Sequence, residues 1–275
     1  MITVGIDLSS QPARTAACEI RWSDGVAYVA SPILPLADPE IVSLIERADI
    51  TGIDVPLGWP APLTDALVAL RDGMPWPDGQ MSAFLFRTTD EHVRTRVRQQ
   101  PLAVGGDRIA WPAVRAARLL SALSSRGIPI DRSGATGRVV EVYPAAALRG
   151  WASQWSGYKG ADHLENLSAL AEQIFARDWL HFAEGSRSHY VRSDDAFDAL
   201  VASLIARAHR LGLCEPIPPK HEALARAEFV CLRRFAHHGA VEAQFLSDRQ
   251  LLAFDLTWGW ALDSRADQST RGSRR

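Results

Sequence analysis

Four aspartates stand out as residues that could do chemistry. Asp7 and Asp54 each close a short apolar run, V-G-I-D and T-G-I-D-V-P, and Asp195 and Asp198 lie three apart in S-D-D-A-F-D-A-L. On a helix that spacing puts both carboxylates on one face, and Leu200, Val201, Leu204 and Ile205 mark the helix as mostly buried. Two like charges beside a core are costly unless they are paired or hold a cation. In open α/β sheets ligands bind outside strand ends, where Asp7 and Asp54 fall. Hard divalent cations such as Mg2+ or Mn2+ take oxygen ligands, and two ions ~4 Å apart can stabilise both the attacking water and the leaving oxygen of a phosphodiester. The pattern therefore suits metal-dependent phosphoryl chemistry.

Each residue also has a plainer reading. Acids in a first helical turn favour the helix dipole, which accounts well for Asp194 and Asp195 and less well for Asp198. A strand-terminal Asp is often a turn former or helix cap. Glu141, in R-V-V-E-V-Y-P, is a second-tier metal ligand on another strand, with pairing to Arg138 or Arg149 as the alternative. Arg87 in F-R-T-T-D, ahead of Arg94, Arg96 and Arg98, could place a guanidinium beside a phosphate. Arginine–acid pairs on a solvated helix face are the commoner explanation of such a run. Arg87 and Lys159 are the candidate substrate contacts.

The elements that must position these residues follow from periodicity. Strands are expected at Ile2 to Asp7, Thr15 to Trp22, Val26 to Ala30 and Ile50 to Val55, the second and third forming a hairpin around Ser23-Asp24-Gly25. Pro39 to Ala48, Ile109 to Ser125 and Ala161 to Asp178 have helical spacing, and Arg138 to Val142 reads as a further strand. Ser193 is the expected N-cap of a helix that Gly212 ends. The proline-rich stretch 56–106 reads as a loop-rich insertion with short helices after the fourth strand. Alternating strands and helices imply an α/β class, a sheet covered by helices. One domain over residues 1–262 is expected, with a polar tail at 263–275.

Composition narrows the classes. With 47% apolar and 23% charged residues in 275, the chain is neither disordered nor fibrous, and its net charge of -2 lacks the basic footprint of many nucleic-acid binders. Its basic residues are almost all arginine, the lysines being Lys159 and Lys220. Cys18, Cys214 and Cys231 are too scattered for a disulfide framework or paired zinc ligands, which points to a reducing cytoplasm. No apolar run approaches the ~18 residues of a membrane span, and the N-terminus lacks a signal-peptide pattern. Phosphate-loop, dinucleotide, nucleophile-elbow and H-E-x-x-H motifs are absent, and S-G-A-T-G at 133–137 could cradle a phosphate, with a plain glycine turn before the strand at Arg138 as the commoner reading.

The motifs G-I-D-L-S at 5–9, G-I-D-V-P-L-G at 52–58, F-R-T-T-D at 86–90, E-V-Y-P at 141–144, Y-K-G at 158–160 and D-D-A-F-D-A-L at 194–200 resemble a family of bacterial and archaeal proteins described as predicted nucleases with an RNase H fold. The resemblance covers about residues 2–212. It is similar, too, to Holliday-junction-resolvase-type folds, in which a first-strand Asp, an acid ending the fourth strand and an Asp pair on the last helix bind metal. Carried over, those roles fall on Asp7, Asp54, Asp195 and Asp198, as catalytic and metal-binding residues in an RNase H-like mixed sheet flanked by helices. The implied activity is a Mg2+- or Mn2+-dependent nuclease or phosphodiesterase in the cytoplasm, acting on nucleic acid or another phosphodiester, with room for a homodimer. The competing expectations are a phosphotransferase or nucleotide-binding protein of the actin-like and sugar-kinase class, and a non-catalytic member that binds a partner through Trp59, Trp76, Phe84, Phe86 and Trp111.

Overall fold

In the computed structural model the described residues are 1–131, 136–152 and 155–214. Cys231, Lys220, His237-His238 and the expected tail at 263–275 lie outside them, as does most of the 133–137 turn.

Six strands form one mixed sheet: β1 (Ile2–Asp7), β2 (Ala16–Ser23), β3 (Val26–Val29), β4 (Ile50–Asp54), β5 (Val139–Glu141) and β6 (Leu180–Phe182), in the order β5-β4-β1-β2-β3-β6. β1 runs antiparallel to β2 and parallel to β4, and β5 continues the parallel side. The helices are α1 (Asp38–Arg47), α2 (Ala61–Arg71), α3 (Met81–Leu85), α4 (Thr88–Val97), α5 (Ala110–Ser125), α6 (Pro144–Trp151), α7 (Leu164–Phe175), α8 (Arg187–Tyr190) and α9 (Asp194–Arg210).

Helices cover both faces. Ile41, Leu44 and Ile45 of α1 and Leu119, Leu120 and Leu123 of α5 pack with Val4, Ile6 and Ile53 on one side. Residues of α6, α7 and α9 pack with Ala16, Cys18, Ile20, Trp22 and Val140 on the other. The segment expected to be loop-rich is more helical than its prolines suggest, since α2 and α4 have 11 and 10 residues. A proline at the start of α2 sits where a missing N–H costs nothing. The short β6 and α6 carry too few residues for a periodicity signal and were not anticipated. Among the described residues no helix is long and apolar enough to cross a membrane.

The contact that matters most for the site is α9 on β1 and β4. Strand side chains alternate, so if Val4 and Ile6 face α1 and α5, then Thr3, Gly5 and Asp7 face α9. Gly5 and Gly52 are register partners, and a Cβ added at Gly5 would fall 2.0 Å from Ala199 O and 2.2 Å from Ser203 N. At Gly52 it would fall 2.6 Å from Ala202 O. The two glycines thus form a trough into which the small residues of α9 settle. A 2.7 Å hydrogen bond between the buried Thr3 and Ser203 hydroxyls fixes the helix along the strand.

Candidate functional site

Two residue pairs beyond the glycines, Asp7 and Asp54 are again register partners on the parallel strands β1 and β4. Neighbouring strands lie about 4.8 Å apart, and the alternation that turns Gly5 and Gly52 toward α9 turns these carboxylates the same way. On α9, Asp195 and Asp198 stand four residues before Ala199 and Ala202, the residues over the glycines, and so share their face. Ser193 caps the helix as expected, its hydroxyl accepting from Ala196 N at 3.2 Å. Gly212, with φ of 72°, follows the C-cap.

The four aspartates feel one another. Burial, and then the carboxylates of Asp198, Asp54 and Asp195, raise Asp7 well above the usual carboxylate range, while Lys159 pulls it down. Among the described residues no hydrogen-bond donor reaches the Asp7 carboxylate, whose one attractive influence is Lys159. The acids of α9, by contrast, are all held. Arg14, on the 3-10 turn Pro12–Arg14, forks onto Asp195 with bonds of 2.7 and 2.9 Å. Arg115 steadies that loop by donating to Ser9 O and the Thr15 hydroxyl. Gly160 N donates to Asp194 at 3.0 Å. Asp198 is fully buried, accepts from the Tyr158 hydroxyl at 2.7 Å and lies 2.5 Å from Lys159 Nζ.

Lys159 is therefore at the acid cluster, as its motif suggested, but in contact with Asp198. Partial burial works against its charge; Asp198, Tyr158, Asp7 and Asp54 outweigh that and raise its pKa. Tyr158 is raised too, by burial and by Asp198, so it stays a hydroxyl donor.

Two other candidates are placed elsewhere. Val139 packs on the α1/α5 side of the sheet and Val140 on the α9 side, so by alternation Glu141 points away from the face of Asp7 and Asp54. Its partner is neither Arg138, which donates to Glu46 O, nor Arg149, which donates to Arg98 O. Glu141 accepts two 2.8 Å bonds from Arg87 and a third from Leu57 N. Arg87, expected to meet a phosphate, is fully buried and also bonds Asp90 through Nε and Nη2. It ties the start of α4 to the end of β5, a structural task that a buried guanidinium with two carboxylates performs well. Of the aromatics expected to bind a partner, Phe84 is buried, whereas Trp76 and Trp111, the latter on α5, are 44% and 75% exposed.

The oxygen donors suit a hard divalent cation, and Asp7, crowded by three carboxylates with no donor of its own, is the kind of group such an ion would stabilise. Among the described residues, no set of three or more acid, His or Cys side chains is gathered into a ready-made metal site. Asp195 and Asp198 are engaged by Arg14 and Lys159, whose side chains are 62% and 55% exposed and can turn out into water.

The sequence reading did not anticipate Tyr158 and Arg14. Tyr158 stands in the Y-K-G motif already singled out, whereas Arg14 carries no local signal, being 181 residues from its partner.

The profile of a family described as "Protein of unknown function (DUF429)" matches residues 5–223. No curated protein and no solved structure matches the chain.

Proposed function

We propose that this chain, which belongs to the DUF429 family, is a divalent-metal-dependent phosphodiesterase of RNase H-like fold that hydrolyses nucleic acid. The observation that carries the reading is the gathering of acids: Asp7 and Asp54 are register partners at the ends of β1 and β4, under the face of α9 that bears Asp195 and Asp198, and burial together with these acids raises Asp7, a repulsion that a bound cation would relieve. The RNase H-like assignment is supported by where the acids fall, at the ends of the first and fourth strands and on the first turns of the last described helix.

Asp7, Asp54 and Asp198 would hold Mg2+ or Mn2+, with Asp195 as a further ligand. A bound divalent cation would neutralise charge on the phosphodiester and favour attack by water. The protein's own part is positional. The Gly5–Gly52 trough sets the distance between α9 and the strands, Tyr158 fixes one oxygen of Asp198, and Arg14 orients Asp195. Arg14 and Lys159, seated on Asp195 and Asp198 with side chains more than half exposed, would be cations within reach of an incoming phosphate.

The test is hydrolysis of single- and double-stranded DNA and RNA, and of a chromogenic phosphodiester, with Mn2+ or with EDTA. The reading expects cleavage that needs the metal and is lost in Asp7→Asn and Asp198→Asn while both variants stay folded. Metal-independent behaviour of folded wild type, with no cleavage of any of these substrates, overturns it.

A second reading has its own observation. Leu67, Val68, Leu70, Met74, Trp76 and Met81, between β4 and α5, and Trp111, in the first turn of α5, are exposed apolar side chains. Several large exposed apolar side chains along one stretch of chain are what an interaction site would present. A non-catalytic protein that binds a partner there, a second copy of itself included, would leave the aspartates to their counter-cations. Asp7→Asn would then leave its function intact.

A further inference from the structure

We propose that Lys159 is a resident counter-cation of the aspartate cluster, seated on Asp198 and released when a divalent cation enters, which leaves its ammonium free beside the site to meet an anionic substrate. The inference rests on the metal-dependent reading above.

Three consecutive residues grip the start of α9. Tyr158 donates to Asp198 Oδ1, Lys159 pairs with Asp198 Oδ2, and Gly160 N donates to Asp194. Gly157 and Gly160, with φ of 74° and 97°, bracket the pair in backbone conformations that side chains rarely adopt. The grip is thus built into the backbone, and the two oxygens of Asp198 are treated differently. Oδ1 is held by a phenol whose ring is buried and packs edge-on against Phe197. Moving it would disturb the core.

Oδ2 is held by an ammonium alone. The contact is an ion pair at 2.5 Å, and among the described residues no hydrogen bond reaches this fully buried atom. The lysine that supplies it is 55% exposed and has a flexible four-carbon stem, so rotation into water gives up little beyond the ion pair and a 5.9 Å approach to the Tyr158 ring. The same ammonium interacts with Asp7 and Asp54, which places a single positive charge among the carboxylates proposed to take a divalent one. An ammonium and a divalent cation repel, and one buried carboxylate oxygen cannot contact both closely. The mobile, singly charged partner yields, and it remains tethered within a side-chain length of the site.

Lys159 and Lys220 are the two lysines of the 275-residue chain, which makes the test direct. Acylation by an N-hydroxysuccinimide ester is followed by peptide mass spectrometry in Mn2+ and in EDTA, with Lys220 as reference. Calorimetry of Mn2+ binding is run on wild type and Lys159→Met, and EDTA melting curves confirm that the variant folds. Mn2+ is expected to raise the Lys159-to-Lys220 labelling ratio. Lys159→Met is expected to bind Mn2+ about tenfold tighter, the factor equivalent to roughly 1.4 kcal/mol of competing ion pair. Wild type that binds Mn2+ with unchanged or reduced Lys159 labelling overturns the inference and leaves the metal reading standing, as does a folded Lys159→Met that binds more weakly. Absence of Mn2+ binding to both proteins overturns inference and metal reading together. If the variant does not fold, wild-type labelling decides alone.

Discussion

Gly5 and Gly52 lie side by side in register on β1 and β4, with the backbone of α9 directly over both. The helix can carry Asp195 and Asp198 to Asp7 and Asp54 only because neither strand has a side chain at that point. Gly5→Ala would place a Cβ 2.0 Å from Ala199 O, against backbone that cannot step aside. Overpacking of a rigid contact costs 1–3 kcal/mol or more, so a loss of at least about 3 kcal/mol is expected for Gly5→Ala and a smaller one for Gly52→Ala. Denaturant unfolding measures both, and wild-type stability of Gly5→Ala would contradict the trough.

Arg87 supplies a second stability prediction. Its guanidinium is buried between Asp90 and Glu141, so Arg87→Met leaves two buried carboxylates without their cation. Removing one partner of a buried pair typically costs about 3–5 kcal/mol. A folded Arg87→Met of wild-type stability that has lost only substrate affinity would instead restore the role its motif suggested.

The pH dependence follows from Asp7. Its folded-state pKa is raised, by burial and by Asp198, Asp54 and Asp195, so the folded protein holds a proton that the unfolded chain releases earlier. The resulting stability is fully present below the usual carboxylate range and is lost as pH rises through the elevated value. In EDTA, Asp7→Asn should therefore gain in melting temperature relative to wild type as pH rises from about 4. Parallel curves for the two proteins would show that Asp7 is not under carboxylate repulsion.

Among the described residues the hydroxyl on Asp198 comes from Tyr158, and Tyr158→Phe removes it. A hydrogen bond to a charged group is worth about 1.5–3 kcal/mol, and a loss of that order in EDTA is expected, measured by chemical denaturation. A neutral result would mean that the Asp198 carboxylate is held by Lys159 alone.

Strand and helix positions around the site were legible because they rest on local periodicity. The V-G-I-D and T-G-I-D runs became β1 and β4, Ser193 became the cap of α9, and the acids fell at those ends. The repeated G-x-D spacing also encodes the trough, since a glycine two residues before the acid shares its face. What each acid pairs with was not legible. The Arg14–Asp195 and Lys159–Asp198 contacts join distant parts of the chain and depend on how α9 is laid across the sheet. The face that Glu141 serves was not legible for a related reason: in a strand of three residues, a shift of one position decides it.

The central claim, that Asp7, Asp54 and Asp198 form a divalent-cation site, is tested most directly by anomalous diffraction from crystals soaked in Mn2+. A manganese peak is expected at oxygen-ligand distance from Asp7, Asp54 and Asp198, with the Lys159 ammonium moved off Asp198 Oδ2. A map without such a peak at saturating Mn2+, with Lys159 still on Asp198 and Arg14 still forked onto Asp195, would contradict it.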